Sequence, residues 1–337
     1  MDFNSMTRMI LRGAVRKTIR GLKNDPERTL RNLVDLALSH ADGPHGKALL
    51  SHVQSLLRQK DSAYYVLVRR LADHVDPENL EAFLFNIGYN SCADGVKTLR
   101  EQEEKLGFAL PWLIGLESGR MPDFPGSAQR VMEQGKRLGI YLYLFAGEEA
   151  LSPACADLYR RHDDCALLIL SPAEKLTDQS VGRLRQVRHA MLSVSSRDRI
   201  ELNRACGLLR QQKLLYAIHV PYGTEAEARA MISPANLAFY ASLEPACLFL
   251  AGPGDGGAPL PAVRDLTLGL RLGQKYPFLI ADLPSDVGEI DRMISERPCS
   301  LAFRDKNRLA TPRGAMAGEA YDLIRRPLVE ILRSAGQ

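Results

Sequence analysis

The stretch Tyr141–Pro153, YLYLFAGEEALSP, places two carboxylates directly after an apolar run. The run has the composition of a buried strand, and a helix follows it. Gly147 would allow the backbone to approach a ligand closely, and Glu148 could accept hydrogen bonds from an ammonium group. Alternatively, Glu148 and Glu149 form an ordinary turn whose negative charge favours the N-terminus of the next helix. Both interpretations stay open at this point.

Apolar runs of this kind recur along the chain, with a helical pattern in each interval. Continuous apolar strands that alternate with helices predict parallel strands buried on both faces. Such repetition without a dinucleotide-binding fingerprint favours a barrel over an open sheet. We therefore predict an α/β fold, a complete or partial (β/α) barrel. The predicted strands lie within 82–90, 111–117, 139–147, 165–172, 190–196, 215–223, 246–254 and 276–284.

The chain before these strands has helical patterns only, and two of its helices start with Asp-Pro, at Asp25 and Asp76. Aspartate is a preferred helix cap, and proline fits the first turn. We predict a helical N-terminal region over residues 1–80 and the barrel over 81–305. A C-terminal loop and helix are predicted over 306–337.

The N-terminal segment 6–23 repeats arginine at every fourth position, at Arg8, Arg12, Arg16 and Arg20. This spacing places the four side chains on one helical stripe. One interpretation is an amphipathic helix that lies on an anionic membrane surface. The other, which Gly13 and Gly21 favour because glycine weakens an isolated helix, is a helix packed on its own domain with a solvated basic face.

The composition excludes several classes of protein. The chain has 337 residues, is 45% hydrophobic and 25% charged, and carries a formal net charge of +4. No run approaches the roughly 18 apolar residues of a membrane-spanning helix. The charge does not indicate a nucleic-acid partner. The cysteines are scattered and form no CxxC pair, which suits a reducing cytoplasm.

The carboxyl ends of the strands are where barrel enzymes place their chemistry. At these ends we expect a barrel mouth that binds a small molecule. The predicted lining residues are Asn90, Glu117, Gly147, Glu148, Glu149, Ser195, Tyr222 and Asp282.

Other motifs each have a functional and an ordinary interpretation. The glycine-rich loop 251–257 could cradle a phosphate, but it lacks the P-loop spacing and suits a flexible loop. His219 could be a base or a ligand, or a core histidine. The segment 160–164, RRHDD, has residue types that can bind a metal. Because it precedes a strand, we expect it to be solvated charge, and no metal site is predicted. Near Asp282, acidic residues could bind a cation.

Several stretches together resemble the radical S-adenosylmethionine (SAM) proteins, specifically a group with a helical layer before the barrel. They cover roughly residues 60 to 300, and their order carries the resemblance. In that family a Gly-Gly-Glu-Pro motif holds SAM, and here Ala146 replaces its first glycine and Glu149 its proline. The stretches are HVDPENLEAFLFNIGYNS, REQEEKLGFALPWLIGLE, AQRVMEQGKRLGIYLYLFAGEEAL, YRRHDDCALLILSPAEKLTDQSVGRLRQVRHAMLSV and QKYPFLIADLPSDVGEIDRMI.

The sequence departs from this family at the loop after the first barrel strand. There the family carries Cys-x3-Cys-x2-Cys, whose thiolates hold a 4Fe-4S cluster that binds and cleaves SAM. The corresponding loop here, Glu117–Ser127, contains neither cysteine nor histidine. Only Cys92 and Cys155 are expected to approach the upper rim of the barrel. We therefore expect no 4Fe-4S cluster, whereas SAM binding stays open.

The resemblance with its missing loop implies a cytoplasmic, radical-SAM-like barrel that binds a ligand or a partner protein, such as an active radical SAM enzyme. This predicts a non-catalytic protein. The alternatives are a radical SAM enzyme with an unusual cluster site, and a barrel enzyme that uses its acidic rim without radicals.

Overall fold

One sheet of ten strands forms the centre of the described chain. The structure, a computed structural model, describes residues 3–22, 25–40, 54, 59, 61–119, 121–252 and 260–336. The glycine-rich loop 251–257 lies mostly outside these residues. The strands are β1 (Leu113–Glu117), β2 (Leu142–Ala146), β3 (Ala166–Pro172), β4 (Ala190–Ser195), β5 (Tyr216–Pro221), β6 (Cys247–Ala251), β7 (Leu279–Asp282), β8 (Leu301–Asp305), β9 (Arg308–Thr311) and β10 (Gly314–Ala317).

The strand order is β10-β9-β8-β1-β2-β3-β4-β5-β6-β7. From β8 through β1 to β7, every neighbouring pair is parallel, which is the strand order of a (β/α) barrel. Within the described residues, β7 pairs with β6 and with no other strand, so hydrogen bonds do not close the ring. The predicted fold class is confirmed as a partial barrel.

Helices precede the sheet and connect its parallel strands. The predicted start at Asp76 is confirmed, because its side chain accepts a hydrogen bond from the N–H of Glu78 and Pro77 occupies the first turn. The α-helices are α1 (Phe3–Gly21), α2 (Pro26–His40), α3 (Ala63–His74), α4 (Pro77–Phe85), α5 (Val96–Leu106), α6 (Phe124–Arg137), α7 (Pro153–Arg161), α8 (Asp178–Leu184), α9 (Arg199–Gln211), α10 (Glu225–Met231), α11 (Pro234–Ser242), α12 (Pro261–Gly273), α13 (Leu283–Ser295) and α14 (Leu328–Gly336).

The strand predicted within 82–90 is wrong, because α4 continues into a π-helical segment, Asn86–Gly95. The apolar run is short enough to suit either element, and the capped start at Asp76 selects the helix. Asn90 donates to the Asn86 side chain at 2.8 Å and to the carbonyl of Asp164 at 2.8 Å. Asp164 precedes β3, so Asn90 lies at the amino end of the sheet. Its predicted place at the barrel mouth was wrong.

The C-terminal region contains strands as well as the predicted helix. The short strands β9 and β10 form an antiparallel hairpin that extends the sheet beyond β8. Each strand is only four residues long, and the sequence pattern predicted a loop and a helix over 306–337. The sheet therefore continues past Asp305, where the boundary of the barrel was predicted.

The basic stripe of α1 packs against α4. Both Arg12 and Arg16 form ion pairs with Glu81, at 3.0 and 2.7 Å, and the Glu81 side chain is only 7% exposed. The guanidinium groups of Arg8 and Arg12 also lie over the ring of Phe85. These contacts match the packed-helix interpretation of the stripe. In the described part of the chain, no helix combines the length and apolar character needed to cross a membrane.

The two faces of the sheet differ in burial. On the outer face Ile114, Tyr143 and Ile169 are fully buried, and the Tyr143 hydroxyl donates to the carbonyl of Met132 in α6. The opposite, inner face carries half-buried side chains such as Leu144 and Phe249. A closed barrel normally fills its interior with packed side chains. Here the inner face is half-exposed near the carboxyl ends of the strands, whereas inner residues nearer the amino ends, such as Leu142 and Leu168, are buried.

Candidate functional site

The inner face near the carboxyl ends of β1, β2, β3 and β4 is the candidate site. Glu117 ends β1 and forms an ion pair with Arg304 of the adjacent strand β8. Both side chains are partly exposed on this open face. The Nε atom of Arg304 is buried and has no hydrogen-bond partner. A ligand could use this donor only if the Arg304 side chain moves.

The turn after β2 depends on Gly147. This residue has φ 98° and ψ 172°, a conformation that is almost restricted to glycine. A Cβ atom at this position would lie 2.3 Å from the Oγ atom of Ser118. The same Oγ atom accepts a hydrogen bond from the backbone N–H of Glu149 at 3.2 Å. The glycine thus lets the loops after β1 and β2 touch.

The carboxylate of Glu148 is exposed and forms an ion pair at 2.8 Å with Lys175. Lys175 belongs to the 3-10 turn Ala173–Lys175, which follows β3. Glu149 is also exposed, and both acidic residues belong to the short 3-10 helix Glu148–Leu151. An ammonium ligand at Glu148 would therefore compete with the ammonium group of Lys175.

A serine and a histidine meet on the inner face deeper in the site. The Oγ atom of Ser193 in β4 lies 3.1 Å from Nδ1 of His219 in β5. The serine is fully buried and the histidine is half-buried. Burial lowers the pKa of His219 to about 4. The ring is therefore neutral near pH 7, and its burial makes it a weak base. Ser195 ends β4, closer to the mouth.

Tyr222 and Asp282 meet, but on the outer side of the sheet. The Tyr222 hydroxyl donates to Oδ1 of Asp282 at 2.7 Å, and Ser285 donates to Oδ2. Asp282 is fully buried on the helix-facing side, next to the fully buried Leu250 of β6. Burial raises the pKa of the Asp282 carboxyl. Its predicted place at the open mouth was wrong.

No three cysteine thiols form a cluster in the described part of the chain, where all six cysteines are free. Cys92 lies in the π-helical segment, whose Asn90 contacts the amino end of β3, so its expected place at the upper rim was wrong. Cys155 does follow β2, but it is fully buried in α7. Burial raises the pKa of both thiols, to about 12 and about 11 respectively.

The structure adds Lys175, Arg304 and Ser193 to the site, none of which the sequence singled out. Lys175 and Ser193 lie in or just after predicted strands, so a search for every polar residue at strand ends would have found them. Arg304 had no comparable signal, because it lies in a short strand whose pairing with β1 is a tertiary contact.

No protein-family model matches the chain. No curated protein matches it either. Among solved structures, a tryptophan synthase of Mycobacterium tuberculosis is similar with a TM-score of 0.35 and 11% sequence identity; the match covers 59% of this chain and 98% of that one. A similarity this low carries no inference about function.

Proposed function

We propose that this protein is a radical-SAM-like barrel without a cluster site, and that it binds a small zwitterionic molecule at the barrel mouth. The observation that carries the proposal is the pairing of opposite charges on an accessible face. Glu117 lies beside Arg304, and Glu148 lies beside Lys175. The register aligns Glu117 with Ala146, two residues before Glu148, so the two pairs belong to the ends of adjacent strands.

A ligand with both an ammonium and a carboxylate group complements this arrangement. The carboxylate would accept from Lys175 or, after a movement of the Arg304 side chain, from its unpaired Nε, and the ammonium would donate to Glu117 or Glu148. Exposed ion pairs contribute about 0–1 kcal/mol, and a ligand that excludes water from the pair would raise this toward about 1.5–3 kcal/mol, the contribution of a hydrogen bond to a charged group. The amino-acid end of SAM has this chemistry, and SAM is therefore the candidate ligand.

The proposal of a non-catalytic role is supported by the loop Glu117–Ser127, which offers no thiolate to hold an iron–sulfur cluster. Without a cluster, bound SAM has no reductant and would not be cleaved to a radical. A protein of this kind would act through binding, either of the ligand alone or of a partner such as an active radical SAM enzyme. Because all six cysteines are free, we place it in a reducing compartment such as the cytoplasm.

Calorimetric titration with SAM, S-adenosylhomocysteine and methionine tests the proposal. We expect binding of SAM, and a loss of about tenfold in affinity, equivalent to about 1.4 kcal/mol, in Glu117→Gln and Glu148→Gln. The matched control is Glu289→Gln, because Glu289 forms an exposed ion pair of 2.7 Å with Arg292. Absence of binding by all three compounds refutes the proposal, as does equal binding by Glu148→Gln and wild type.

Anaerobic reconstitution with iron and sulfide tests the absence of the cluster. We expect no sulfide-containing chromophore. About four irons with equivalent sulfide per chain and visible charge-transfer absorbance would instead establish a radical SAM enzyme with an unusual cluster site.

A second candidate function is a barrel enzyme that works without radicals. The contact between Ser193 and His219 favours it, because a neutral histidine held by a serine on an accessible face can act as a general base. The buried serine would orient the ring rather than attack a substrate. Turnover of a SAM-related substrate that His219→Gln abolishes without weakening binding would support this function over the non-catalytic one.

A further inference from the structure

The amino end of β3 gathers a group of potential metal ligands that is separate from the barrel mouth. One ligand atom from each of His162, Asp164 and Cys165 lies within 4.8 Å of the other two. His162 follows α7 directly, and a tight turn, with the Cys165 N–H bonded to the His162 carbonyl at 3.0 Å, folds the segment back. His162 and Cys165 are buried. The prediction that segment 160–164 carries solvated charge is therefore wrong for His162.

Two histidine nitrogens in this region are buried and have no hydrogen-bond partner, namely Nδ1 of His162 and Nε2 of His189. The two rings are only 4% and 3% exposed. Buried polar atoms are nearly always paired, so each unpaired one needs an explanation. His189 immediately precedes β4, and its carbonyl accepts from Leu167 at 3.1 Å, which places it beside the start of β3. His189 itself lies outside the group of ligand atoms that are all within 4.8 Å of one another.

We propose that His162, Asp164 and Cys165 bind a zinc ion, and that a water molecule occupies the fourth position of a tetrahedral set. Nitrogen, sulfur and carboxylate oxygen are the ligands that zinc uses in proteins. The distance between Oδ1 of Asp164 and Sγ of Cys165 is 3.6 Å. Bond lengths of about 2.0 and 2.3 Å at a tetrahedral angle require about 3.5 Å between these two atoms.

The charges of the site match a divalent cation. One thiolate and one carboxylate neutralise zinc, so the buried site would carry no net charge apart from the flanking Lys136. The Nζ atom of Lys136 lies 3.1 Å from both carboxylate oxygens of Asp164. Zinc needs one of these oxygens, and the lysine can stay on the other.

The backbone of the proposed site is held by two asparagines of the π-helical segment. Asn86 donates to the carbonyls of Asp163 and Cys165, both at 2.7 Å, and Asn90 donates to the carbonyl of Asp164 at 2.8 Å. All three bonds fix the segment that carries two of the ligands. This fixation is the role that we assign to Asn90, in place of its predicted role at the barrel mouth.

Cobalt binding to the purified full-length chain tests the site, because cobalt replaces zinc and reports its ligands by absorbance. We expect one cobalt per chain, with a thiolate-to-cobalt charge-transfer band and visible bands of tetrahedral intensity, and displacement by one zinc. Cys165→Ser should remove the charge-transfer band, whereas Cys206→Ser, at a buried cysteine in α9, should keep it. His162→Gln removes a ligand and should weaken zinc binding by at least about 100-fold. Asn90→Ala removes a residue that only supports the ligands and should weaken zinc binding by about 10-fold, within the range found for such residues.

If Cys165→Ser does not fold, as judged by circular dichroism, His162→Gln serves in its place, with loss of cobalt binding expected. Wild-type protein that is folded yet takes up no cobalt overturns the proposal, as does a charge-transfer band that survives Cys165→Ser. The result is independent of the proposed mouth, because SAM would bind at the opposite end of the sheet. Binding of one metal ion per chain in the absence of inorganic sulfide also distinguishes this site from an iron–sulfur cluster.

Discussion

Replacing Gly147 by alanine tests whether the turn after β2 is held by its unusual backbone conformation. An alanine at φ 98° and ψ 172° is strained by about 1–3 kcal/mol. Its Cβ would also lie 2.3 Å from the Ser118 Oγ atom, which would have to leave the N–H of Glu149. Losing that hydrogen bond costs about 1 kcal/mol. We therefore expect Gly147→Ala to lower the free energy of unfolding by about 2–4 kcal/mol.

Urea unfolding measures this change, followed by circular dichroism and by the fluorescence of Trp112, the one tryptophan of the chain, which is buried just before β1. The control is Gly207→Ala in α9, where a Cβ would meet nothing within 4 Å. Because alanine favours a helix over glycine, we expect that variant to gain about 0.5–1 kcal/mol.

The double variant Ser118→Ala/Gly147→Ala separates the two contributions. In the Ser118→Ala background the clash and the hydrogen bond are both absent, so Gly147→Ala should cost only the backbone strain. The double-mutant cycle of Ser118 and Gly147 should then give an interaction energy of about 1 kcal/mol in the unfolding free energy. The reasoning is refuted if Gly147→Ala is as stable as wild type. It is equally refuted if the Ser118→Ala background removes the whole effect, because the strain would then be absent.

Three further predictions concern the framework around the site. Asn79→Ala should lower the unfolding free energy in urea titrations by about 2–4 kcal/mol. This buried side chain forms hydrogen bonds with three backbone groups at the starts of β4 and β5. An effect below about 1 kcal/mol would contradict this. Glu81→Gln should speed hydrogen exchange in α1, and Glu78→Gln, at an exposed ion pair, should not. The arginine hydrogen bonds lower the pKa of Glu81 below 4.5, so α1 should also loosen as the pH falls below that value. Burial lowers the pKa of His219 from 6.5 to about 4. The neutral ring therefore stabilises the fold above pH 6.5, and this contribution is lost as the pH falls to 4. The unfolding free energy of His219→Gln should accordingly depend less on pH between 6.5 and 4 than that of the wild type.

Local patterns were sufficient for the strands of the barrel. The apolar runs around Leu113, Leu142 and Ala166 have the length and burial that parallel strands require, and each became a strand. The start of a helix at Asp76 could be predicted because the Asp76 side chain caps the helix and Pro77 fits its first turn. The run 82–90 failed because a short apolar segment suits a helix or a strand equally, and the capped helix before it decides the outcome.

Pairing across the sheet decided the position of the site residues. Sequence spacing correctly placed Glu117 and Glu148 at neighbouring strand ends, since the carboxyl ends of parallel strands share one edge. It could not assign Asp282 to the outer face, because a shift of one residue in register moves a side chain to the other side of a sheet. Nor could it pair Glu117 with Arg304, which lies far along the chain.

By itself, the sequence determined the alternation of strands and helices, the glycine–glutamate turn and the absence of cysteine from the loop after β1, since each depends on neighbouring residues alone. The tertiary structure decided that the inner face stays partly exposed near the carboxyl ends of the strands, that the arginines of α1 serve packing against Glu81, and that His162, Asp164 and Cys165 come together. These features depend on contacts between distant segments, and only the register and curvature of the sheet bring those segments together.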